Sequence, residues 1–248
     1  MIAGSMIAGL PIWLALACVG LMLIGAAVQG ALGIGMGMIA SPLLAIADHG
    51  FIPGAIVISV LPLSLAVVLQ QHRHIDRRGA ALALLGRAPG VVLGAVAAAW
   101  AGPRELALLV SGSVLIAVAA SLTGVHFRPT PRALVIAGVT SGFTGTATGV
   151  GGPPMAITYQ NADPLAARAT LALFFGVGAV MSIVGLTISG DMGRRQLELA
   201  LLLLPGVILG FAGSNWLAGL LHGDRARRLI LLLCAASAIA LILEEVVW

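Results

Sequence analysis

Six residues, Gly149-Val150-Gly151-Gly152-Pro153-Pro154, interrupt an apolar run that would otherwise read as a membrane helix. A shorter echo, Gly33-Ile34-Gly35-Met36-Gly37, interrupts another. No regular helix runs through the first of these. Glycine costs about 1 kcal/mol in a helix interior and proline about 3, and Pro153 and Pro154 also lack an amide hydrogen. In hydrocarbon, freed backbone groups are tolerated only where protein covers them or a wet cavity receives them. Each break therefore marks a place where helix ends and bare amides face something polar.

That these runs lie in hydrocarbon follows from composition. Of 248 residues, 60% are hydrophobic and 9% charged, with a mean hydropathy of +1.10. Soluble domains carry roughly 25% charged residues, so the chain reads as an integral membrane protein. Cys18 and Cys234 lie in apolar segments with no second ligand type nearby, and read as small core residues. The N-terminus lacks the basic region of a cleavable signal. Ala15-Leu16-Ala17-Cys18 faintly resembles a lipoprotein site, but the apolar run continues past Cys18, so residues 12–32 read as a retained membrane segment.

Helical segments are expected at about 12–32, 34–48, 52–72, 79–101, 105–124, 133–148, 152–162, 165–189, 196–221 and 226–247. A full span needs roughly 20 apolar residues. The pieces at 34–48, 133–148 and 152–162 are short for that and read as arms of re-entrant hairpins. The chain also repeats itself. Pro89-Gly90-Val91-Val92-Leu93-Gly94 aligns with Pro205-Gly206-Val207-Ile208-Leu209-Gly210 at an offset of 116, which also carries Trp100 to Trp216, Gly33 to Gly149 and Gly35 to Gly151. The expected units are residues 1–125 and 126–248, meeting near His126-Arg128-Pro129-Pro131.

All 13 basic residues are arginine, and they cluster between hydrophobic segments. That pattern marks cytoplasmic loops, not nucleic-acid binding. If each glycine motif is a kink in one crossing helix, the halves are parallel and the loop arginines divide 7 to 5. If each is the tip of a hairpin, the halves are inverted. Arg73, Arg77, Arg78, Arg128, Arg132, Arg168, Arg225, Arg227 and Arg228 then share one side, against Arg104, Arg194 and Arg195. The hairpin reading gives the sharper asymmetry. The expected fold is therefore all-α and polytopic: two inverted repeats, each with a broken, re-entrant hairpin plus three spanning helices, and both termini extracytoplasmic. Paired broken helices in inverted repeats recur in secondary transporters, with the site near the midplane. Helix N-termini converging there favour anions.

The two motifs, the Gly-Val-Gly-Gly-Pro-Pro form of the second, the Arg168-Ala169-Thr170 step after it and the Pro-Gly-x-x-x-Gly helices resemble the sulfite exporter TauE/SafE family, also called the toluene sulfonate uptake permeases. The resemblance runs from about residue 20 to 245, with Met36 standing where a further glycine is common. It implies a multi-pass inner-membrane transporter of anions, commonly sulfite, sulfonates and other organosulfur compounds. It is compatible with a homo-oligomer, and no cofactor is implied.

The expected substrate-binding residues are Gly33, Gly35, Gly37, Gly149, Gly151, Gly152, Pro153 and Pro154 at the breaks, with Gln29, Ser141, Thr144 and Thr148 beside them. The bland reading of the glycines is close helix packing; that of a threonine is a bond to its own backbone. Arg87 lies about nine residues inside the 79–101 segment, where a charge is a functional candidate by default, although it could snorkel. Arg168 could recruit a sulfonate bidentately or serve only to set topology. His49, His72, His74, His126 and His222 all fall in expected loops, and His72 and His74 alone are too few for a metal site.

An intramembrane serine protease is the competing class. Ser141-Gly142 lacks a glycine two positions before the serine, and no histidine lies in a membrane segment to act as its base. The expectation is thus a non-enzymatic permease whose halves rock around a bound anion. An anion channel is the alternative, since both can use broken helices.

Overall fold

A computed structural model describes residues 6–33, 35–122, 129–220 and 224–247. The chain forms α1 (Ile12–Leu32), α2 (Gly37–Ala47), α3 (Gly54–Gln71), α4 (Arg77–Trp100), α5 (Pro103–Leu122), α6 (Pro131–Thr148), α7 (Gly152–Tyr159), α8 (Pro164–Ser189), α9 (Arg194–Leu220) and α10 (Asp224–Val247). A two-residue strand pair, Met6–Ile7 with Leu10–Pro11, precedes α1. The expected boundary at 125/126 and Arg128 lie outside the described residues.

Among the described residues, 7 helices are long and apolar enough to cross a membrane: α1, α3, α4, α5, α8, α9 and α10. The protein is a polytopic, all-α membrane protein. Its surface fits that setting, with Leu85, Val92, Leu93 and Val96 of α4 exposed. Trp13, Trp100 and Trp216 are also exposed toward helix ends, where indoles favour the headgroup zone.

Local chemistry sets the helix ends. Thr130, Asp76 and Asp163 each accept an amide hydrogen bond from the first turn of α6, α4 and α8, satisfying a donor the helix cannot. Gly33 and Gly149 stop α1 and α6 in the left-handed conformation, with φ of 71° and 76°. Glycine adopts it without steric penalty. Pro153 and Pro154 fall in the first turn of α7, where a missing amide hydrogen costs no intrahelical bond. So α7 starts at Gly152 and ends at Tyr159, short of the expected 162.

Two seams hold the bundle together. On α9, Gly206 and Gly210 lie against the carbonyls of Val19 and Leu23 in α1. On α4, Gly86 and Gly90 lie against those of Val135 and Val139 in α6, while Gly138 and Gly142 of α6 reciprocate against Ala83 and Arg87. Residue numbers rise together along both seams, so α1 runs parallel to α9 and α4 to α6. With little hydrophobic drive between helices in lipid, close backbone contact of this kind is what joins them. α3 packs on α8 and α9, α8 on α3 and α4, and α5 on α10.

Polar contacts gather at two levels. At one, Asp48 after α2 accepts from Arg195 at the start of α9 (2.5 Å), and Arg195 also donates to the Ala8 carbonyl, just before α1. His49 bonds Glu245 at the end of α10 (2.8 Å). At the other, Tyr159 at the end of α7 donates to Asp76 at the start of α4 (2.9 Å), and the Asp76 amide donates to Thr170 near the start of α8 (2.9 Å). α3 connects the levels: Gly54 at its start lies against Gln196 of α9, and its 18 residues span about 27 Å. Thus α2 returns to the level where α1 begins. α7 likewise returns to the level where α4 begins, and with it α6.

Candidate functional site: a buried arginine between two hairpin tips

The two tips touch. A Cβ on Gly35 would lie 3.1 Å from the Gly152 Cα, and Gly37 sits against the Gly149 carbonyl with no room for a side chain. α2 and α7 therefore both begin at this meeting point. The first amides of a helix lack intrahelical acceptors, and the positive ends of two helix dipoles converge here. In the first tip, the Met36 amide donates to Gln29 Oε1 (2.6 Å), and the Gly33 amide to the Gln29 carbonyl (2.8 Å). In the second, the Val150 amide donates to Thr148 Oγ1 (3.2 Å) and the Gly149 amide to the Gly145 carbonyl (3.2 Å).

Arg87 reaches this meeting point from the middle of α4, with 4% of its surface exposed. It does not snorkel. Its Nη1 donates to Ser141 Oγ (3.2 Å) and its Nη2 to Ser182 Oγ (3.4 Å), while Phe174 presents its ring face 4.8 Å from the guanidinium carbon. Cation–π attraction of that kind strengthens where water is excluded. Ser141 passes the contact on by donating to the Gly151 carbonyl, and Thr146 bonds Ser182 (2.7 Å). The guanidinium occupies a slot that glycines leave open: a Cβ on Gly178 would overlap it, and one on Gly145 would lie 3.2 Å from Nη2. None of these partners is acidic, although a buried cation ordinarily needs a counter-charge.

A narrow cleft opens on this group. Gln29, Gly35, Met36 and Gly37 line it from the first hairpin, and Gly145, Gly149, Gly151 and Gly152 from the second. Arg87, Val57, Val60, Phe175 and Ala179 complete it. Of the residues expected from sequence, Gln29, Gly35, Gly37, Arg87, Gly149, Gly151 and Gly152 meet here, and Ser141 is one hydrogen bond away. Gly33 and Arg168 line a neighbouring cavity. Thr144 and Thr148 do not join them. Each bonds the carbonyl four residues back in its own helix (3.0 and 2.6 Å). Pro153 and Pro154 shape the start of α7 and do not line the cleft.

Sequence reasoning missed Ser182, Phe174, Phe175, Val57 and Val60. They sit on unbroken helices, where nothing in the local pattern separates a cleft wall from packing.

Helices of membrane-spanning length around two broken hairpins and a buried cation define a polytopic membrane protein of transporter type. The chain belongs to the sulfite exporter TauE/SafE family, whose description matches residues 17–241. A search of curated proteins and of solved structures returns no match. Membership makes this a membrane transporter of sulfur compounds, within a family of transporters.

Proposed function

We propose that the protein is a secondary transporter that moves a small sulfur oxyanion or organosulfonate across a bacterial inner membrane by alternating access. The anion binds between Arg87 and the two hairpin tips. The observation that carries this reading is Arg87 itself: a cation sunk in the membrane region whose partners are two hydroxyls and an aromatic face, beside a cleft lined by glycine backbone. A guanidinium fork, serine hydroxyls and helix N-termini are complementary to an oxyanion. The anion would supply the missing counter-charge.

Residues 1–125 and 126–248 are, on this reading, inverted repeats. Support comes from the two polar levels. The first hairpin starts and ends at the Asp48–Arg195 level, and the second at the Tyr159–Asp76 level. Arg73, Arg77, Arg78, Arg132, Arg168 and Arg228 belong with the second level, and Arg104, Arg194 and Arg195 with the first, which makes the Tyr159 level cytoplasmic. The partners are then a small anion and the lipid bilayer, with no nucleic acid.

Sulfite flux into proteoliposomes tests the site. Removing one partner of a buried charged contact costs roughly 2–5 kcal/mol, so Arg87→Gln should lower sulfite flux at least about 30-fold in protein that remains folded. Wild-type flux in that variant would refute the site. Counterflow of labelled sulfite against its gradient identifies a carrier, and its absence a channel.

A further inference from the structure

A second cavity lies along the same seam between α3 and α8. Its walls include Arg168, Leu171 and Phe175 of α8, Leu63 and Val67 of α3, and Gln29 of α1. The central cleft takes Val57 and Val60 from α3, and Phe175 and Ala179 from α8. These two helices run in opposite directions, so later residues of α3 and earlier residues of α8 both lie nearer the Tyr159–Asp76 level. The shift from Val60 to Val67 corresponds to about 10 Å. Gln29 and Phe175 line both cavities. The two spaces are therefore consecutive along the seam and share these walls.

Arg168 gives the second cavity its chemistry. It stands in the second turn of α8, partly buried, and its Nε is sheltered from solvent with no hydrogen-bond partner. An arginine that only marks topology keeps its charged head in water; here the side chain lines a cavity with its Nε sheltered and unpaired. α8 also packs on the 72–74 turn, which carries Arg73, with Arg77 and Arg78 following. Positive charge around such a mouth concentrates anions before they enter.

We propose that Arg168 and Gln29 form an outer anion-binding site on the arginine-rich face, where the same sulfur oxyanion waits before passing Phe175 to reach Arg87. This assignment rests on the central site argued above. Phe175 is the partition between the two, and its displacement connects them. The outer site accounts for entry from one face, and Arg87 for translocation from both.

The test measures sulfite KM separately from each face of oriented proteoliposomes. Arg168→Gln should raise KM about 10-fold for sulfite offered on the arginine-rich face, as expected for one lost hydrogen bond to a charged group. Its kcat, and its KM from the opposite face, should stay near wild type, and Arg168→Lys should recover most of the loss. Unchanged KM at both faces, or an equal fall in kcat from both, overturns the outer site. Should Arg168→Gln not fold, sulfite titration by calorimetry decides: wild type should bind at two sites and Arg87→Gln at one. A single site in wild type, or none in Arg87→Gln, overturns the proposal. Normal flux in Arg87→Gln would instead refute the central site, so the two failures are distinguishable.

Discussion

The two hairpin tips have nearly the same backbone and quite different side chains. Gly33 and Gly149, 116 residues apart, both end a helix with positive φ, and both hand their amide to a carbonyl four residues back. Yet Gln29, which caps Met36 in the first tip, corresponds at that offset to Gly145, and Arg87 corresponds to Leu203, which is fully buried in the apolar core. Ser141, the link between Arg87 and the second tip, corresponds to Gly25, which packs against Met36. The same backbone turn therefore occurs at both tips. The polar chemistry sits where the two differ, and the cation meets the second tip.

The strongest way to break this comparison is to part the tips. Gly37→Ala drives a Cβ into the Gly149 carbonyl, which is backbone and cannot yield cheaply, whereas Gly35→Ala meets Gly152 at 3.1 Å. Overpacking costs about 1–3 kcal/mol and occasionally more. Gly37→Ala should abolish transport and most of the monodisperse yield in detergent chromatography, and Gly35→Ala should be clearly milder. Equal behaviour would mean the tips are not in register.

An intermediate effect is expected at Gly178, which makes room for the cation and not for backbone. Its new Cβ would displace the end of a flexible side chain, so Gly178→Ala should lower sulfite flux about 10-fold. The melting temperature should move by no more than about 2 °C. A large stability loss at unchanged flux would reverse the assignment of Arg87 from ligand to scaffold.

Gln29, which also lines both cavities, is compared through stability alone. Gln29→Leu leaves the Met36 amide without its acceptor, at a cost of about 1–2 kcal/mol. The expected fall in melting temperature is about 2–8 °C, measured by thermal shift. Thr148→Val, which removes the matching acceptor in the second tip, should cost a similar amount if the two tips are equally strained.

Most of the fold was legible in the sequence because hydrocarbon permits so few solutions. The expected apolar segments match the observed helices closely, and the breaks at Gly33–Gly37 and Gly149–Pro154 fall between α1 and α2 and between α6 and α7. Arg87 stood out because a charge within a span is costly. The hydroxyls were harder to read. Ser141 and Thr144 are three residues apart on one helix, yet one turns to Arg87 and the other back to its own carbonyl. Ser182 and Phe174 come from α8 and become neighbours of Arg87 only once α4 and α8 are packed.

The glycine seams bear on what can move. Each joins a helix from before the 123–128 connection to one from after it: α1 to α9, and α6 to α4. α3 packs on both α8 and α9, and α8 on both α3 and α4, so the α3–α8 contact fastens one seam to the other. Neither seam belongs to one sequence half, so neither half is a lever in its own right. The joint is where Val57 and Val60 of α3 face the cleft with Phe175 and Ala179 of α8. Loosening it is the motion that would open the way to Arg87.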